Sequence, residues 1–499
     1  MMKFSRLNYI ETFFCFLSAF FILSLLSNNI GYEGDDLNTV LPMLHLQDAK
    51  KGNLLLYRYY WQPLSYEIGS VVYNFTKSIN AIFLLPQLFM AISISIIYRC
   101  CVSVLGFDRK LFVPLILLFP EIIYTGLYFN STAIAFPFVC ISVMLALERK
   151  DWKGAIFTGL FLSLAVMIRF DFILITPFVF IYRYFLSSKL SDAVIGGLFF
   201  VAGIIISMLS GVLVPDKIFE VYDLAHKEII QRNLEPGWDF RTKLFVTTTV
   251  FSPIGWGVLA SATFWCFKTK KVWKPTLLGL ICLIPILLSA RDILTPKYMM
   301  PMLAIAPVLV VMLWSRTVKF WSEKYINRLS LYWIILTVGF FMFSIEPIKT
   351  LPFLKVSAAD NRQVGTHDGE RSWGSYFWQL RRVATTISKE STEADELLAL
   401  FKNPGSHDVV LVGDENFFSS GGVAWRHLQL RLEREGFYGR VVELGQIEYK
   451  VPSGTVTLST KDNKKAGACM VRLEEISTKL ENPADWIKLN CDYLQPDTF

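Results

Sequence analysis

Charge is what this sequence has least of. Only 18% of its 499 residues are Asp, Glu, Lys or Arg, while 53% are apolar and the mean hydropathy is +0.43. A soluble chain of this length would divide into several domains with polar faces, and this one has too little polar surface for that. Histidine is scarce: the five present, His45, His226, His367, His407 and His427, show no ligand spacing. No Cys-x-x-Cys pair occurs either, which removes the usual frameworks for zinc. A complete Gly-x-Gly-x-x-Gly pattern is missing, so the Gly421-Gly422 pair reads as a plain loop. There is no internal repeat and no low-complexity stretch. The first apolar run has no small-residue cleavage site, so it is expected to stay as a span.

What is present comes in blocks. Apolar residues cluster in runs near the roughly 20 residues that cross a bilayer. Hydropathy places about eleven spans, near 9–28, 79–98, 111–128, 132–147, 154–168, 172–186, 193–214, 245–267, 275–290, 298–315 and 330–346. The expected fold class is an all-α polytopic membrane protein. The loops carry a regular charge pattern. Lys3 and Arg6; Arg99, Arg109 and Lys110; Arg149, Lys150 and Lys153; Arg183 and Lys189; Lys268 to Lys274; and Arg316 to Arg328 fall in every second connection. The positive-inside bias then sets the N-terminus in the cytoplasm and the alternate loops outside. The net charge of +7 is thereby a topology signal and gives no sign of a nucleic-acid partner.

The remaining charges gather on the outer side. Asp35-Asp36 follow the first span directly, and two adjacent carboxylates at a membrane surface are costly unless they serve a purpose. The same loop, 29–78, holds Arg58 in the aromatic run Tyr57-Arg58-Tyr59-Tyr60-Trp61, and Glu67 after Gln62-Pro63-Leu64. Its mix of apolar, aromatic and charged residues predicts short helices lying in the interface. Arg169-Phe170-Asp171 interrupts apolar sequence between two short spans. Arg291-Asp292 and Lys297-Tyr298-Met299-Met300-Pro301 sit at the outer end of a late span. Glu121 lies within an apolar span and requires a partner, for which a structural hydrogen bond is the expected solution. Six cysteines lie in or beside apolar segments and read as buried hydrophobes. The other two, Cys469 and Cys491, stand in the polar tail, which the topology puts outside, where they are expected to form a disulfide.

This ordered set resembles the GT-C superfamily of membrane glycosyltransferases, which take sugar from polyprenyl-phosphate donors. The resemblance covers most of residues 1–346. It rests on the acid pair in the first outer loop, on Gln62-Pro63-Leu64 in place of a His-Pro-Pro-Leu-like element, and on Lys297-Tyr298-Met299-Met300-Pro301 in place of an Arg/Lys-Tyr-x-x-Pro element. Branches similar to protein O-mannosyltransferases, lipid A aminoarabinose transferases and O-antigen glucosyltransferases all share this layout. The resemblance implies an inverting transferase of a bacterial inner membrane, using a donor such as undecaprenyl-phosphate sugar. Its acceptor would be a glycan or lipid, O-antigen among them, on the periplasmic face. Asp35 and Asp36 would be the catalytic acids. Lys297, Arg291, Tyr298 and, more weakly, Arg169 would hold the donor phosphate, with Glu67, Arg58 and Asp171 as further site candidates. No cofactor or metal is required. A flippase for the same lipid, or a glycan ligase or polymerase, are the alternative functions. A flippase would more often show paired internal repeats.

The tail changes character. Asp408-Val409-Val410-Leu411-Val412-Gly413-Asp414 and Val441-Val442-Glu443-Leu444 read as strands, and Gly422 to Glu435 has helical spacing. The expected division is a membrane domain, 1–347, and a periplasmic α/β domain, 348–499.

Overall fold

The computed structural model describes residues 6–27, 43, 63–127, 129–187, 189–210, 300–317, 331, 332 and 335, and five strands between residues 408 and 472. The membrane part is helical. Helix α1 (Arg6–Ser27) is apolar all round, and large side chains such as Phe13, Phe14 and Phe21 stay exposed on it. Exposed apolar side chains along a long apolar helix are what a lipid-facing helix requires. Helix α2 (Pro63–Thr76) lies inside the first long loop, with Pro63 at its first position, and five of its 14 residues, all between Pro63 and Ser70, are buried. Short α3 (Ile79–Phe83) leads into α4 (Leu85–Tyr98), which continues through a π turn over Arg99–Val104, so that Asn80–Val104 forms one apolar length of 25 residues.

The stretch at 111–128 departs from the expected single span. It folds as α5 (Phe112–Leu117) and α6 (Pro120–Tyr124). Pro120 has no amide hydrogen, and its ring forces the preceding residue out of the helical region; Phe119 sits at φ −122°, ψ 67°. This break brings Glu121 to the start of a new helix. Then follow α7 (Ser131–Glu148), α8 (Trp152–Ile168), a 3₁₀ turn over Phe170–Leu174, α9 (Thr176–Ser187) and α10 (Leu190–Leu209). The late span begins as α11 (Met300–Leu303) and resumes as α12 (Ala306–Thr317). The expected spans 245–267 and 275–290 lie outside the described residues, as does most of 330–346.

Helix α7 is the buried centre: Ala133, Ile134, Ala135 and Phe136 have no exposed surface. The helices pack in a row, α1 on α4, α4 on α7, α7 on α8 and α8 on α10. The last contact depends on small residues. A Cβ on Gly159 of α8 would run into the Gly196 carbonyl of α10, and one on Gly203 would run into the Ser163 side chain. Close backbone approach through small residues is a common means of joining helices where lipid competes equally for apolar side chains. Since 159 meets 196 and 163 meets 203, the two helices run parallel. This is a helical polytopic membrane protein, with four described helices long and apolar enough to cross a bilayer.

In the tail, β1 (Asp408–Gly413) is flanked in parallel by β2 (Arg440–Glu443) and β5 (Ala468–Arg472). Strands β3 (Glu448–Val451) and β4 (Gly454–Thr457) form an antiparallel hairpin. Parallel neighbours need a crossover connection, which accords with the helical spacing between β1 and β2. The residues of that expected helix lie outside the described set, and so does Cys491; Cys469 stands in β5 opposite Val409.

Candidate active site

The charged residues divide between the two ends of the bundle. At one end, where α1, α8 and α10 begin and α4, α7 and α9 finish, Arg99 pairs with Glu148 at 2.9 Å and Arg109 with Glu11 at 2.8 Å. Arg183 donates to the Asp151 carbonyl there at 2.6 Å. The opposite end is built differently and holds the candidate site.

There, Ser27 at the last residue of α1 donates to the Leu127 carbonyl at 2.8 Å, and Gln87 of α4 donates to the same Ser27 hydroxyl at 2.8 Å. Asn130 caps α7: its Oδ1 accepts from the Ala133 amide at 2.8 Å, and its Nδ2 donates to the Thr125 carbonyl at 2.8 Å. The Thr125 hydroxyl donates to Glu121 Oε1 at 3.1 Å. Arg169, at the end of α8 and only 8% exposed, donates from Nη1 to the Ser131 hydroxyl at 3.1 Å. An α8 helix that ends on Arg169 and an α7 helix that starts on Asn130-Ser131 therefore meet at a buried polar cluster. Helix α11 packs against both α6 and α7, which adds the segment that follows Lys297 by three residues. Two further hydroxyls, Ser65 Oγ and Thr132 Oγ1, are buried with no hydrogen-bond partner among the described residues. Such groups cost about 1–3 kcal/mol each unless something satisfies them.

Arg169 and Glu121 are thus at this end, Glu121 fully buried and hydrogen-bonded as the sequence suggested. Glu67 is half-buried on α2, which packs against α8. The side chain of Asp171 and the residues Asp35, Asp36, Arg58, Arg291, Lys297 and Tyr298 lie outside the described set. Ser27 precedes Asp35 by eight residues and is tied to the Leu127 turn; Met43 follows Asp36 by seven and is packed where a side chain on Gly69 of α2 would be. The polar chain Glu121–Thr125–Asn130 was missed as a unit by the sequence reading. Its signal was present: an acid after a proline, and an Asx cap ahead of an apolar run.

The cap is testable. Asn130→Ala removes both side-chain bonds and should destabilise the protein by about 1–2 kcal/mol, read as a lower thermal midpoint in detergent. Asn130→Asp keeps the acceptor for the Ala133 amide and should recover part of that loss.

No family model matches the chain, and no curated protein does. A solved structure does: ArnT from Cupriavidus metallidurans in the apo state matches over 86% of this chain and 85% of its own, with a TM-score of 0.53 and 12% identity. The chain shares the fold of that structure. At that identity the likeness is one of architecture alone.

Proposed function

We propose that the protein is an inverting glycosyltransferase that moves a sugar from a polyprenyl-phosphate donor to a glycan or lipid acceptor at the periplasmic face of a bacterial inner membrane. The observation that carries this reading is the convergence at one end of the bundle. The end of α1 leads to the acid pair, the buried Arg169 is fixed on Ser131, and α11 arrives from the Lys297-Tyr298 segment. The GT-C fold agrees with it.

The chemistry explains the residue types. Attack at the anomeric carbon requires the acceptor hydroxyl to lose its proton, and Asp35 is the base that takes it. Asp36 supports it by raising its basicity through like-charge repulsion. The polyprenyl phosphate leaves with added negative charge. Lys297, Arg291 and Arg169, with Tyr298, stabilise that charge at a site where little water screens it. A guanidinium held at the edge of the apolar bundle suits a phosphate whose lipid tail lies along the helices. Glu67, Arg58 and Asp171 complete the polar surround. The tail, 348–499, stands as a periplasmic α/β domain braced by the Cys469–Cys491 disulfide.

The direct test is to incubate purified protein with a panel of polyprenyl-phosphate sugars and follow transfer and donor hydrolysis by mass spectrometry. One or more donors should be consumed with release of polyprenyl phosphate. A panel left intact, with the protein instead moving the lipids between leaflets of a vesicle, would replace the transferase by a flippase.

A further inference from the structure

The end of the bundle away from the candidate site has an exposed cationic face with no role in sugar transfer. The turn from α7 to α8 exposes Arg149 and Lys150, and the start of α8 exposes Lys153. The turn from α9 to α10 exposes Lys189. These two turns are far apart in sequence and are held together from beneath. Arg183, 1% exposed, donates to the Asp151 carbonyl of the first turn at 2.6 Å and lies 3.9 Å from the Asp192 carboxylate of the second. The parallel contact of α8 with α10 through Gly159 and Gly196 keeps both starts at the same level. Among the described residues of these two turns one exposed acid, Asp151, lies beside the cations, and its Oδ1 is taken by the Gly154 amide as the cap of α8.

Apolar surface continues directly from these cations. Trp152 is 56% exposed with the Lys153 ammonium 5.6 Å over its ring, and Leu190 is 68% exposed. Along α10, Val194 and Leu198 face outward in turn. A row of cations, then a tryptophan, then bare aliphatic side chains is the profile of a membrane from headgroup to hydrocarbon.

We propose that this face is a binding site for an anionic phospholipid, its phosphate held by Lys150, Lys153 and Lys189 and its acyl chains lying along the outer surfaces of α8 and α10. Charge complementarity selects an anionic headgroup over a zwitterionic one. The exposed aliphatic face below selects a lipid over a free phosphate. The two turns clamped by Arg183 make a built receptor for it, whereas Lys110 follows Asp108, whose carboxylate accepts from the Lys110 amide, and Arg109, which is already paired with Glu11.

The experiment uses the full protein in nanodiscs of phosphatidylcholine alone or mixed with phosphatidylglycerol, with lipids retained on gentle extraction counted by native mass spectrometry. Wild-type protein should retain phosphatidylglycerol in preference. Lys153→Gln should weaken that retention about fivefold, the effect of one cation at such a surface, and Lys150→Gln/Lys153→Gln/Lys189→Gln by at least tenfold. The triple Lys→Arg variant should keep it. Lys110→Gln is the matched control and should change nothing. Unchanged retention in the single and triple Gln variants would overturn the proposal. So would an equal loss in Lys110→Gln, because the attraction would then be diffuse surface charge. If the triple variant fails to fold, Lys153→Gln against Lys110→Gln decides the matter alone.

Discussion

Asp35→Asn should leave a folded protein whose transfer rate has fallen by on the order of 10² or more, the usual contribution of a positioned general base. Asparagine keeps the size and polarity of the side chain but cannot take the proton from the acceptor hydroxyl. Donor binding should survive, because a carboxylate near a phosphate repels it more than it holds it. Asp36→Asn should cost less, since its part is to support its neighbour. The order of the two follows the family resemblance; charge alone does not distinguish adjacent aspartates. The measurement is turnover and donor affinity for each variant, with expression and thermal midpoint as controls. A dead Asp36→Asn beside an active Asp35→Asn would exchange the roles. Two active variants would remove the acid pair from the mechanism and favour the flippase.

The second large effect belongs to the phosphate cations. Lys297→Ala should raise the donor concentration needed for half-maximal rate by about 10- to 100-fold, the loss of one charge-assisted hydrogen bond worth about 1.5–3 kcal/mol. Arg169→Gln should act in the same direction by a smaller factor. Glutamine is polar but carries no charge and stops two bonds short of the atom that holds the Ser131 hydroxyl. Arg169→Lys should recover part of the loss, since lysine restores the charge without the planar fork. A merely structural Arg169 would give another pattern: a lower thermal midpoint with unchanged donor dependence. A merely snorkelling Lys297 would leave both unchanged.

Much of the membrane part was legible because its signal is local. Apolar content alone marks α1, the 80–104 length, α7 and α10, each of which is long and apolar enough to cross a bilayer within one continuous stretch. The alternation of basic loops was also legible. Residues expected on one side, Arg99, Arg109, Arg183 and their neighbours, do gather at one end of the bundle, and Arg169 lies at the other. The 111–128 stretch misled because hydropathy averages over a window and does not see that Pro120 ends one helix and starts another. Glu121 shows the same limit: its burial could be read from its neighbours, its partner Thr125 only from the turn that the break creates. A short helix within the first long loop was foreseen, and α2 is one; Met43 on Gly69 was not, because nothing at either position marks the other.

By itself, then, the sequence determined that this is a membrane protein of many helices, where most of the described helices run, which loops share a side, and which acids and cations are worth testing. Composition and charge repeat over short windows, and the bilayer converts them into spans without reference to distant residues. Only the tertiary structure decided which ends meet. Ser27 on Leu127, Arg169 on Ser131 and Arg183 between Asp151 and Asp192 are contacts between residues 9 to 100 positions apart. They exist because parallel and antiparallel helices bring chosen termini to one level, and close packing at glycines and the cap at Asn130 set that level to within a hydrogen bond's length.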